Sequence, residues 1–331
     1  MMRSARVLLV LALAAASVGA SVDAASARTT APMVGAKAHV VAAKPALSSN
    51  LGIMPKSVGK KPTTTAAVAT KTLSYYGGKI IQNVKVVQVL YGAGTYAPYV
   101  AATGAGTTGA FYNAVVGSSH VTWLNNDYKT TTPVQTIGAG TFAGQVQITP
   151  STANTPSTQS ICTKSGAKRI KDTQIQAELK LQIAAGKIPA PDANTYYAIY
   201  FPANVGIQQG KSCSGVQFCA YHGTVAASAG IAEFYYGILP DFTSAAFATG
   251  CGGSTQYNNV TSVSSHELIE AITDPEVGLA TVVGKPLAWY NVTYGEIGDI
   301  CNGQQGSITG TDGVSYVVQT EWSNTSQTCR V

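Results

Sequence analysis

Apolar positions along the chain fall into short dense runs, separated by polar and glycine-rich stretches. Val84–Tyr91 (VKVVQVLY) is β-branched and apolar at nearly every position, which predicts a buried strand. Tyr196–Phe201 (YYAIYF) predicts a central strand. Tyr221–Ser228 and Ala232–Tyr236 predict two more strands, and Val314–Glu321 a late one. Three segments carry helical signals. Thr107–Val116 is one. Asp172–Ala185 (DTQIQAELKLQIAA) is amphipathic, with Asp172 placed to cap it. Asn259–Thr273 is the strongest in the last third, and Pro275 stops it. Strands and helices mix without a regular βαβ repeat, so the expected fold is α+β: a mixed β-sheet with packed helices.

The chain reads differently before these runs. Arg3 and Arg6 precede an apolar run, Val7–Val18, and small residues follow with cleavage-like ends at Val18-Gly19-Ala20 and Ala25-Ser26-Ala27. Residues 1–27 are therefore expected to be a secretory signal peptide. The apolar run is shorter than the roughly twenty residues a bilayer span needs, so no membrane span is expected. Residues 28–71 are rich in Ala, Lys, Thr, Pro and Ser without an apolar period. They predict a flexible tether or pro-segment, whose lysines suit loose association with an anionic envelope. Residues 72–331 then form the folded domain.

Charge changes this picture only once it is placed. The chain has 331 residues, with 21 Lys+Arg, 15 Asp+Glu and a net charge of +6. Only 11% of residues are charged and 45% are hydrophobic, which excludes a disordered chain. Residues 1–71 hold nine Lys/Arg and a single acid, Asp23, whereas residues 233–331 hold two basic and ten acidic residues. The basic total belongs to the export and tether segments, so it is no pointer to nucleic acid. The last third is acidic.

Six cysteines lie between Cys162 and Cys329. An even count in an exported chain implies disulfides, with the pairing open. Cys213 and Cys219 are close enough in sequence to bridge a short loop. No C-x2-C spacing is present, which argues against a thiolate zinc site. Gly104-Ala105-Gly106-Thr107-Thr108-Gly109 matches a dinucleotide fingerprint, with Asp127 downstream. The nearest strong strand ends near Tyr91, well before these glycines, so the match is set aside.

The acidic third carries the strongest chemical signal, Ser264-Ser265-His266-Glu267-Leu268-Ile269-Glu270-Ala271-Ile272-Thr273-Asp274-Pro275. On a helix His266 and Glu270 share a face. This is the H-E-x-x-H arrangement with Glu at the second ligand position, where Glu267 would be the general base. A carboxylate is an acceptable zinc ligand there. Downstream, Glu296 and Asp299 form an E-x-x-D pair that resembles the gluzincin plan. Its later Glu is the third ligand, and its Asp holds the ligating His by a hydrogen bond. Asp274 is the rival third ligand. One His among several carboxylates also admits calcium. The bland alternative makes Ser264 and Glu267 a capping box, with His266 and Glu270 a surface pair. Asn258 or Asn259 offers an earlier cap, which places His266 inside the helix. His222 could reach the site from a neighbouring strand, as ligand or transition-state donor, or be a packed strand residue. His120 reads as structural.

Several segments together resemble the EXORDIUM or phosphate-induced family of secreted proteins. These are Tyr75-Tyr76-Gly77-Gly78 with Val84–Gly92, then Asn204-Val205-Gly206 through Cys213, Cys219 and Tyr221-His222-Gly223, and finally Cys301-x-Gly303 with Ser323–Cys329. The resemblance covers most of residues 72–331. It implies an exported protein associated with the cell wall, and no catalytic activity. Two functions are therefore expected to compete. One is an exported zinc metallohydrolase, foremost a peptidase, acting on a peptide or cell-envelope substrate through a zincin-like helix. The other is a non-catalytic, disulfide-stapled wall or matrix protein with a structural or calcium-binding acidic cluster.

Overall fold

The computed structural model describes residues 52–56, 71–228 and 230–331. The expected signal peptide lies outside the described residues, as does most of the expected tether. The tether expectation fails at one place within them. Ile53–Pro55 is a strand, β1, with Ile53 and Met54 only 8% and 2% exposed. The folded part therefore takes in residues before 72.

A six-stranded sheet organises the chain. Its further strands are β2 (Lys85–Tyr91), β3 (Thr141–Ile148), β4 (Thr195–Tyr200), β5 (Phe218–Val225) and β6 (Phe234–Leu239). Their order across the sheet is β1-β5-β6-β4-β2-β3. Strands β6, β4, β2 and β3 run parallel, β5 is antiparallel to β6, and β1 is antiparallel to β5. The mixed sheet and the α+β class are as expected. The strand expected over Ala232–Tyr236 starts later, at Phe234, and runs on to Leu239.

Both faces of the sheet are covered over β2, β4, β5 and β6, which explains why these strands are buried without alternation, whereas edge strand β3 keeps exposed positions. Helices α1 (Thr108–Val115) and α3 (Gln256–Thr273) pack Phe111, Val115, Val263 and Ile269 against the face that carries Val86 and Leu90. Helix α2 (Asp172–Ala184) packs Ile175, Leu179 and Ile183 against the face that carries Val87 and Val89. Each such side chain contributes about 1.5–3 kcal/mol when fully buried. Asp172 does not cap α2, because its carboxylate accepts hydrogen bonds from the hydroxyls of Tyr221 and Tyr236 and from Gln176. Lys171 takes the capping position, and the Gln174 side chain accepts its backbone N–H.

The last third wraps α3. A hairpin of β7 (Gln305–Thr309) and β8 (Ser315–Gln319) packs against it. The expected strand Val314–Glu321 breaks at Thr320, and β9 (Glu321–Ser323) pairs with β10 (Thr328–Arg330) instead. Three disulfides join Cys162 to Cys213, Cys219 to Cys251 and Cys301 to Cys329. The short Cys213–Cys219 bridge does not form. Cys219 sits in the core on the α3 side of the sheet with Cys251, while Cys213 belongs to a separate four-stranded sheet. Among the described residues no helix is long and apolar enough to cross a membrane.

Candidate metal centre

Helix α3 carries the motif, and its interior is set by where it starts. Thr255 caps it, its hydroxyl accepting from the Asn258 backbone N–H at 3.3 Å. The cap thus falls before Asn258, and Ser264 and Glu267 lie mid-helix, which removes the capping-box alternative. Every residue from Asn259 to Thr273 is buried, polar ones included. Ser264 meets the hydroxyl of Tyr200 at 2.8 Å, and the Ser265 hydroxyl accepts the Gln319 backbone N–H at 2.9 Å. These serines dock α3 between the sheet and β8 while leaving His266, Glu267 and Glu270 inside.

Three elements converge on Glu270. Its Oε2 lies 3.2 Å from Nε2 of His266 on the same helix. It also lies 3.7 Å from Nε2 of His222, which strand β5 supplies. Oε1 of Glu296 lies 3.1 Å from the same His222 nitrogen. Glu296 comes from a loop that closes on α3 at Gly298. A Cβ there would sit 2.5 Å from Nδ1 of His266 and 2.9 Å from Oε1 of Glu270, so only glycine permits the approach. His222, Glu270 and Glu296 form one group whose ligand atoms lie within 4.8 Å of one another, and His266, Glu267 and Glu270 form a second. His222 thus lies among the residues that could hold a metal, and not only among the catalytic candidates.

Asp299 and Asp274 belong to neither group. Expected to orient His266, Asp299 instead accepts the Glu296 backbone N–H at 3.3 Å and donates its own N–H to Glu270 Oε1 at 3.0 Å. Nδ1 of His266 faces Nε2 of Gln319 at 2.7 Å, and that amide also donates to the Gly298 carbonyl at 2.9 Å. Asp274 ends α3 and accepts the Ala288 N–H at 2.7 Å. His120, elsewhere in the fold, is buried in agreement with a structural role.

The electrostatics are extreme. Glu267, Glu270, Asp274, Glu296 and Glu321 are at most 1% exposed. Among the described residues no Lys or Arg pairs with any of them. Burial pushes the Glu267 carboxyl well above the usual range, and the carboxylates of Glu270 and Asp299 push it further. Burial and neighbouring acids raise Glu296 and Glu321 in the same way. Only Glu270 moves down, because the two imidazoles outweigh the effect of burial. Burial holds the His222 imidazole down at about 4. Both carboxylate oxygens of Glu267 and of Glu321, together with Nε2 of His266 and Oε2 of Glu270, make no hydrogen bond. Burying an unpaired carboxylate costs on the order of several kcal/mol. Orphaned oxygens and imidazole nitrogens facing one another suit a divalent cation, which would replace the missing counter-charge.

Gln319 and Glu321 escape sequence reasoning. A neutral amide carries no ligand signature, and Glu321 sits in an apolar stretch as a single acid. Compared with models of protein families, with curated proteins and with solved structures, the chain matches none.

Proposed function

We propose that the chain is an exported zinc-dependent hydrolase, foremost a peptidase. The observation that carries this is the buried Oε2 of Glu270, which makes no hydrogen bond and lies 3.2 Å from Nε2 of His266 and 3.7 Å from Nε2 of His222, so that it joins the two ligand groups. Two imidazoles and a carboxylate would hold catalytic zinc as a recognised donor set that leaves a position for water, with Glu296 beside it against His222. Calcium prefers six to eight oxygen ligands, so the paired imidazoles favour zinc. Zinc supplies a Lewis acid that polarises a carbonyl and eases deprotonation of water.

The residues divide the remaining work. Glu267 follows His266 directly and keeps both carboxylate oxygens free, so it is the base that takes the proton of the attacking water. Water then adds across the amide C–N bond, giving a carboxylic acid and an amine. Using His266 through Nε2 requires the proton on Nδ1. That in turn requires the Gln319 amide to present its oxygen there rather than its nitrogen. The three disulfides suit the oxidising compartment that export implies.

The test is metal content with activity. Purified protein is expected to hold one zinc per chain, and Glu267→Gln to keep the zinc but lose peptide hydrolysis. Metal-free protein whose stability ignores chelator would refute the proposal. Full activity in Glu267→Gln would refute the role of the base.

A further inference from the structure

We infer that β1 is an internal pseudosubstrate: residues 52–56 occupy the sheet-edge position that an extended peptide substrate takes. The inference rests on the peptidase reading above and adds how the site is regulated and what shape of substrate it accepts.

Among the described residues strand β1 is terminal in the sheet and pairs only with β5, the strand that carries His222. Its attachment is largely main-chain. The His222 N–H donates to the Gly52 carbonyl at 2.8 Å, and the Lys56 N–H donates to the Gln217 carbonyl at 3.0 Å. Backbone pairing of this kind recognises any extended chain, with specificity left to alternate side chains. Met54 fills the apolar space on the α3 side, and Ile53 faces the other way. A peptide replacing β1 would thus present an apolar residue at the Met54 position.

The segment also touches the chemistry. The Gly52 N–H donates to Oε2 of Glu296 at 3.0 Å. A cavity of about 200 Å3 beside the centre is lined by Ile53, Pro55, Tyr290, Tyr294, Gly295 and Asp299, so β1 is one of its walls. With β1 in place, His266, Glu267 and Glu270 have no exposure. Gly52 explains why the segment blocks rather than reacts. Its φ of +65° takes the backbone out of the extended conformation, and a Cβ there would lie 2.6 Å from the His222 carbonyl oxygen. Beyond the strand, the Lys56 ammonium donates to the carbonyls of Gly215 at 2.9 Å and Ala246 at 2.5 Å, a polar clasp.

Two full-length variants loosen the segment: Gly52→Pro also takes away the N–H that Glu296 accepts, whereas Lys56→Ala leaves the contacts of the centre in place. Gly52→Pro removes the N–H and imposes a negative φ. Lys56→Ala removes the clasp and serves if the first variant does not fold. The probe is a fluorescently labelled peptide with the sequence of residues 50–57, titrated by anisotropy, with zinc content measured on the same samples. Both variants are expected to bind it at least about tenfold more tightly than the parent chain, whose own β1 competes. A folded variant that binds the peptide no better than the parent overturns the pseudosubstrate, whatever its zinc content. Tighter peptide binding by zinc-free protein supports the strand position and refutes the metal reading separately.

Discussion

Nε2 of His222 lies 3.1 Å from Oε1 of Glu296, although the residues are 74 positions apart. One belongs to a strand of the central sheet and the other to a loop, and neither belongs to the helix that bears the H-E-x-x-E motif. A cation between them would tie sheet, loop and helix together.

His222→Ala and Glu296→Gln should each weaken zinc binding, by at least about tenfold for His222, measured by competition with a chromophoric chelator. Because both face the same point, the double variant should lose less than the sum of the two singles. Unchanged zinc affinity in His222→Ala would remove His222 from the donor set.

Gln319 should matter through His266. Gln319→Ala leaves Nδ1 without a partner and is expected to lower zinc affinity by about 10–100-fold, the usual cost of losing a residue that orients a ligand. Gln319→Glu should restore most of it, since a carboxylate accepts the Nδ1 proton and frees Nε2 for the metal. Equal losses in both variants would show that Gln319 packs against the centre without setting the tautomer.

Much of this was legible in the residues, for identifiable reasons. Val84–Tyr91 and Tyr196–Phe201 are covered on both faces, so their apolar runs are unbroken. Helix α3 is marked by the four-residue spacing of His266 and Glu270 and by Pro275. Contacts that depend on distant pairing left no local trace. Strand β1 has three residues, too few for a period, and lies in a stretch whose composition suits a tether. Asp172 looked like a cap because helix starts favour Asp. The tyrosines that claim its carboxylate lie 49 and 64 positions away. Likewise Cys213 and Cys219 are near in sequence, but the sheet sends them to different neighbours.

The Cys301–Cys329 bridge should hold the Glu296 loop in place as well as stabilise the fold. It closes a 28-residue separation and joins the turn after Asp299 to β10. Chain entropy alone assigns such a loop roughly 3–4 kcal/mol. Replacing both cysteines by Ala should cost about that much in chemical denaturation and should also weaken zinc binding. The Cys162–Cys213 pair lies apart from the centre, so its removal should cost stability with little effect on zinc affinity.

His120 gives the fold an acid limit independent of the centre. It is fully buried, neither ring nitrogen has a hydrogen-bond partner, and burial lowers its pKa from 6.5 to about 4. The folded state therefore holds the neutral ring, while the unfolded chain takes up a proton once the pH falls below about 6.5. The stability that burial confers on the neutral ring is intact above that value and is lost as the pH drops toward about 4. Between pH 7 and pH 4.5 the loss from this residue should be about 2–3 kcal/mol. Urea unfolding at the two pH values measures it. His120→Leu should lose less stability than the parent chain over that interval, by about the same 2–3 kcal/mol. Parallel losses in parent and variant would show that His120 does not set the acid sensitivity.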